Sequence, residues 1–92
     1  MRTVSWSPHF RRAFRREVRR HPELRPKILS VVRQLVADPF AAPLDTHKLK
    51  GTLSGLWACS VAYDCRIVFD FVESEEGEVL LLIDLGTHEE VY

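Results

Sequence analysis

The chain has 92 residues, 46% hydrophobic and 28% charged, with 13 Lys/Arg against 13 Asp/Glu. That leaves room for one domain spanning 1–92 with one core, and the composition excludes intrinsic disorder. No apolar run approaches the roughly 20 residues of a spanning helix, and the opening MRTVSWSPHF lacks the apolar stretch of a secretory signal; a cytoplasmic protein without membrane contact is expected.

The net charge of zero hides a strong polarity. Residues 1–50 hold twelve Lys/Arg and four Asp/Glu, a balance of +8, and residues 51–92 hold one Arg and nine Asp/Glu, a balance of −8. Either the two halves neutralise each other across the fold or one surface receives a polyanion. The second reading is preferred, because most of the arginines fall on one short helix. The two cysteines, Cys59 and Cys65, have no zinc-like spacing and read as small core residues.

In chain order, Arg2 to Trp6 alternates and predicts a first strand. Ser7-Pro8 is a helix start: serine caps free N–H groups, and proline in the first turn has none to lose. Phe10, Ala13, Phe14 and Val18 form one apolar stripe. Arg11, Arg12, Arg15, Arg16, Arg19 and Arg20 fill the remaining surface, with Glu17 the single acid among them. Six arginines exceed what a solvated face needs, so contact with phosphates is expected.

His21-Pro22 breaks the pattern, and a second apolar helix is predicted from about Pro22 to Ala37, stopped by Asp38-Pro39. Residues 40–46 read as a loop. Strands are predicted at Leu56–Tyr63, Cys65–Val72 and Val79–Leu85, with a tight turn at Tyr63-Asp64 and an acidic turn at residues 73–78. The order is β-α-α-β-β-β, an α+β fold in which a helical hairpin covers one face of an antiparallel sheet.

Alternation assigns Trp57, Cys59, Val61, Ile67, Phe69, Phe71, Val79, Leu81, Ile83 and Leu85 to the floor under the helices. The other face then carries Ala58, Ser60, Ala62, Arg66, Val68, Asp70, Leu80, Leu82 and Asp84, a shallow and partly polar surface. Arg66, the lone base of the acidic half, is read there equally as an anion contact or as an ion pair with Asp70 or Asp84.

The stretch His47 to Phe69 opens with His47, Lys48 and Lys50 beside Gly51 and Gly55, which suggests a site for a phosphate-bearing ligand; the chain ends in GTHEEVY. The pattern HKLKG-x-L-x-G-x-W, then YDCRIVF, then GTHEEVY resembles the RelE/ParE superfamily of bacterial toxins, most closely the RelE/YafQ-type messenger-RNA endonucleases of type II toxin–antitoxin modules. The resemblance spans nearly the whole chain and includes the element order.

It implies a ribosome-dependent endoribonuclease that uses no metal or cofactor, acts on messenger RNA in the ribosome, and forms a hetero-oligomer with a cognate antitoxin. In that chemistry the ribose 2′-OH attacks its own phosphate, which needs a base, an acid and cations facing the extra charge. Histidine suits the first two roles because its unperturbed pKa of about 6.5 lies near working pH.

By motif match, His88 is similar to the family's catalytic C-terminal histidine and His47 to the one that opens its LKG segment. Lys48, Lys50 and Arg66 resemble phosphate-holding bases. Tyr92 stands where the family has a C-terminal aromatic, and Asp64 where an acid orients a histidine. The family usually carries another histidine on the strand before that turn; here the residue is Ser60. Two alternatives stand beside the nuclease: a non-catalytic ParE-like toxin that binds DNA gyrase, and a degenerate toxin that binds RNA or the ribosome without cutting.

Overall fold

A computed structural model describes residues 2–62 and 64–87. The elements are β1 (Thr3–Trp6), α1 (Pro8–Arg20), α2 (Leu24–Ala37), β2 (His47–Lys48), β3 (Trp57–Ala62), β4 (Cys65–Ser74) and β5 (Gly77–Gly86). This is the expected α+β order with a two-residue strand added, and the loop before it holds a 3₁₀ turn at Ala42–Leu44 that buries Leu44.

α1 begins where Ser7 Oγ accepts from the Phe10 amide at 3.0 Å, with Pro8 in the first turn. Arg19 and Arg20 lie in its last turn, where cations favour the negative end of the helix dipole. Its stripe buries Phe10 and Ala13, and Trp6 of β1 stands edge-on to Phe10 and Phe14 at 4.9 and 5.1 Å. α2 starts two residues later than expected, because the Leu24 and Arg25 amides bond back to the His21 and Pro22 carbonyls in a turn. Pro26 fits its first turn, where amides have no helical partner to lose.

The five strands form one sheet in the order β1-β5-β4-β3-β2. β3, β4 and β5 are antiparallel neighbours, as expected, and the added β2 pairs antiparallel with β3, but β1 pairs parallel with β5, from Thr3 opposite Val79 to Trp6 opposite Leu82. The antiparallel expectation is thus corrected for the first strand. Pairing there covers the open edge of β5, the most apolar strand of the chain.

Two register shifts re-sort the faces. Phe69 opposes Leu82 while Val68 opposes Asp84, so β5 carries one extra residue, Ile83. Leu80, Leu82 and Leu85 therefore face the helices with Phe10, Ile28, Leu35, Cys59, Ile67 and Phe69. The expected set Val79, Leu81, Ile83 and Leu85 holds only for Leu85. A second shift between Ser60 and Ala62 turns Ala62 to the helix side, opposite Cys65, against expectation.

The other face is also covered in its middle. Leu49, Ala58 and Val68 are buried there, with Leu53, Leu56 and Ile83 packed around them. The loop from Leu49 to Leu56 forms this roof and is closed by a 2.9 Å bond from the Leu49 amide to the Leu56 carbonyl. The surface expected to be shallow and polar is so only at its margin, where Ser60 and Arg66 sit.

Candidate phosphate site

β2 sets His47 and Lys48 on opposite faces of the sheet edge, His47 opposite Ala58 and Lys48 opposite Trp57. His47 is exposed, and its Nδ1 lies 2.8 Å from the Asp45 carbonyl. A carbonyl only accepts, so Nδ1 carries the proton and Nε2 is the basic nitrogen of the neutral ring. Asp45 reaches this position with a left-handed backbone, φ 50°.

Next to it lies a cleft of about 320 Å³ lined by His47, Lys48, Leu49, Lys50, Thr52 and Leu53. Leu49 anchors the segment in the second core while Lys48 and Lys50 on either side stay exposed. Gly51 takes φ +72°, a backbone that favours glycine. An apolar anchor between two ammonium groups makes the lead-in a fixed cationic surface, suited to a phosphate.

Arg66 lies on β4 directly opposite Ser60 on one side and Gly86 on the other. His47 begins the row His47–Ala58–Val68–Asp84, one two-residue step from Arg66 and on the same face. Strand spacings of about 4.8 Å and a step of about 6.8 Å separate the two Cα atoms by about 12 Å. Arg66 does not line the cleft of His47, Lys48 and Lys50. Asp64 is further removed: it is exposed at the β3–β4 turn and lines a second cleft, of about 300 Å³, with Glu17, His21, Cys65 and Thr87. His88 and Tyr92 lie outside the described residues.

On α1, Arg11, Arg12, Arg15 and Arg19 are exposed, as the phosphate reading requires. Arg16 is engaged within the fold: its Nε lies 3.0 Å from Glu17 Oε2, and another guanidinium N–H donates to the Leu85 carbonyl at 3.1 Å. Arg20 also approaches Glu17, at 3.6 Å. Glu17, only 3% exposed, is therefore a buried acid held between arginines rather than a solvated one. Its spacing from Phe10, Ala13 and Phe14 is the sequence signal that places it on the apolar stripe.

Two other groupings were not legible in the sequence. His9 Nε2 lies 3.0 Å from Asp84 Oδ1, tying the start of α1 to β5. Phe40, Trp57 and Phe71 form an aromatic cluster with Lys48 Nζ 5.5 Å above the Trp57 ring. Burial pushes the Cys59 thiol up to about 12, a core cysteine as expected. Among the described residues no group of three or more His, Cys, Asp or Glu is placed to hold a metal ion, and no helix is long and apolar enough to cross a membrane.

The family model described as the bacterial toxin of type II toxin–antitoxin systems, YafQ, matches residues 2–92. Among solved structures, YafQ from E. coli strain BL21(DE3) superposes with a TM-score of 0.83 at 18% identity, covering 100% of this chain and 99% of that one. The YoeB/ParE toxin from Agrobacterium tumefaciens gives 0.78 at 22% identity, covering 94% and 98%. A chain of the E. coli DinJ–YafQ toxin–antitoxin complex gives 0.79 at 18% identity, covering 99% and 97%. No curated protein sequence matches. At these identities the structural likenesses establish the shared fold.

Proposed function

We propose that this chain, which belongs to the YafQ family of bacterial toxins of type II toxin–antitoxin systems, is an endoribonuclease that cuts messenger RNA on the ribosome in the cytoplasm. The observation that supports it best is the position of Arg66. It pairs with Gly86, two residues before His88 in the sequence, and shares a sheet face with His47. Two residues of chain span at most about 7 Å.

In the proposed reaction a base removes the 2′-OH proton and the oxygen attacks phosphorus. The P–O5′ bond then breaks, an acid protonates the departing 5′-oxygen, and a 2′,3′-cyclic phosphate remains. Nε2 of His47 suits the base, and His88, with Tyr92 in support, suits the acid. Arg66, Lys48 and Lys50 would face the charge that accumulates on the phosphorane. Asp64 would orient a histidine. The proposed steps need side chains alone.

Arg11, Arg12, Arg15 and Arg19 would hold the phosphates of structured RNA, since i and i+4 positions rise about 6 Å along a helix and set guanidinium groups in a row. An antitoxin is the expected protein partner, by analogy with the E. coli relative solved in complex with DinJ. An acidic segment would cover this row or the cleft at His47.

Expression from a tight promoter, with primer extension to map message 5′ ends, tests the reading. Ribosome-dependent cuts that fall by at least about a hundredfold in His88→Ala support it; supercoiling defects without cuts would replace it with gyrase binding. One observation favours a second reading. Ser60 stands where the resemblance implies a histidine, which would leave a toxin that grips RNA without cutting, and growth arrest without cuts would identify it.

A further inference from the structure

Phe40 is an anomaly among the described residues. The residue is 58% exposed, yet its ring is packed by two others and its backbone is tied down. Phe71 stacks behind it at 5.9 Å and 20°, and Trp57 meets it edge-on at 5.4 Å. Its own amide donates to Asp38 Oδ1 at 3.1 Å. Such an aromatic presents a rigid flat face at little cost in conformational freedom.

The cluster is continuous with the basic cleft through one side chain. Lys48 lines that cleft and also holds its ammonium 5.5 Å over Trp57. Aromatic faces interleaved with cations, beside a groove that tracks phosphates, are the recurring means of gripping single strands. The size fits this occupant too. Phe40 and Val72 are the exposed large hydrophobics among the described residues, and Val72 points to the opposite sheet face from its neighbour Phe71. A stable protein interface buries about 800 Å² per partner, whereas one ring matches one base.

We propose that the Phe40–Trp57–Phe71 cluster, joined to the basic cleft by Lys48, is a stacking platform for a base of single-stranded RNA that wraps around the sheet edge, from the reacting phosphate on the face of His47 to the face of Lys48. A base lies on the outer face of Phe40, and Lys48 meets the phosphate between that base and the cleft. The proposal rests on the nuclease reading for its substrate, but its test does not depend on cleavage.

The probe is a fluorescein-labelled 2′-O-methyl oligouridylate of ten nucleotides, which has no free 2′-OH to attack, titrated against the intact chain at several salt concentrations. The expected results are quenched tryptophan fluorescence and an affinity about tenfold weaker in Phe40→Ala with an unchanged salt slope. Phe40→Tyr retains wild-type affinity, and Lys48→Ala reduces the salt slope by about 0.7. Wild-type affinity in Phe40→Ala, or no binding by the wild type, overturns the platform. So does sedimentation showing a wild-type dimer that becomes monomeric in Phe40→Ala with oligonucleotide binding unchanged, which makes the patch a protein contact. Binding lost in Phe40→Ala by a protein that cuts no message upholds the platform and removes only the nuclease.

Discussion

Arg66 stands directly across the β3–β4 pair from Ser60, on the sheet face that carries the roof of Leu49, Leu53 and Leu56. A guanidinium thus has a small hydroxyl as its cross-strand neighbour, at the position where the resemblance led to the expectation of an imidazole.

Placing an imidazole there is the first prediction. On the proposed nuclease reading, Ser60→His sets a titratable ring opposite Arg66 and raises message cleavage by about tenfold or more, since a positioned acid or base contributes about 10² to 10⁴. Primer extension at matched protein levels measures it. An unchanged cutting rate would mean that the Ser60 position takes no part in proton transfer.

Glu17 gives a stability prediction. It is 3% exposed, with Arg16 at 3.0 Å and Arg20 at 3.6 Å. Glu17→Ala removes the carboxylate that Arg16 and Arg20 approach, leaves Arg16 with its bond to the Leu85 carbonyl, and opens a small void, costing about 1–3 kcal/mol. For a domain of this size the melting temperature falls by roughly 4–8 °C per kcal/mol. A melting temperature within one degree of wild type would show that the pair contributes nothing net.

The roof over the second face can be tested at its anchor. Leu49 is 9% exposed between Lys48 and Lys50. Leu49→Ala removes buried methyl groups at a cost of about 2–3 kcal/mol and frees both lysines from fixed positions. Denaturant midpoints fall and oligonucleotide affinity weakens with them. Loss of stability at full affinity would separate the roof from the cleft.

Cys59 predicts the alkaline limb of stability. Its thiol is pushed from 9.0 to about 12, first by burial and then by Cys65, against a lowering bond from the Ile67 backbone. The unfolded chain releases this proton above pH 9 while the folded chain keeps it, so the unfolded state binds fewer protons there. The contribution is fully present below pH 9 and is lost as pH rises toward 12, by up to about 1.4 kcal/mol per unit. Thermal melts of wild type and Cys59→Ala between pH 8 and 11 show it, as a gap that changes steadily in the variant's favour. Parallel curves would refute the assignment.

The helices were legible because each carried its own punctuation: Ser7-Pro8 and His21-Pro22 for α1, and Asp38-Pro39 at the end of α2. That Ser60 and Arg66 share a face was legible from alternation, but their direct opposition was not, since it depends on the shift between Ser60 and Ala62. The facing of the run VLLLI in β5 was not legible either, because leucines on both faces leave no alternation to read. The bulge at Ile83 then sends Leu82 and Leu85 to the same side.

By itself, then, the order of residues determined the two helices and the four longer strands, the arginine row of α1 and the basic lead-in at His47, all of which follow from periodicity and charge within a few neighbours. The folded chain alone decided which sheet face each leucine of β5 takes, that β1 runs beside β5, that Glu17 is buried, and that Lys48 joins a cleft to an aromatic cluster begun eight residues earlier. Those outcomes depend on strand register and on contacts between distant segments, where one extra residue in a strand exchanges its two faces.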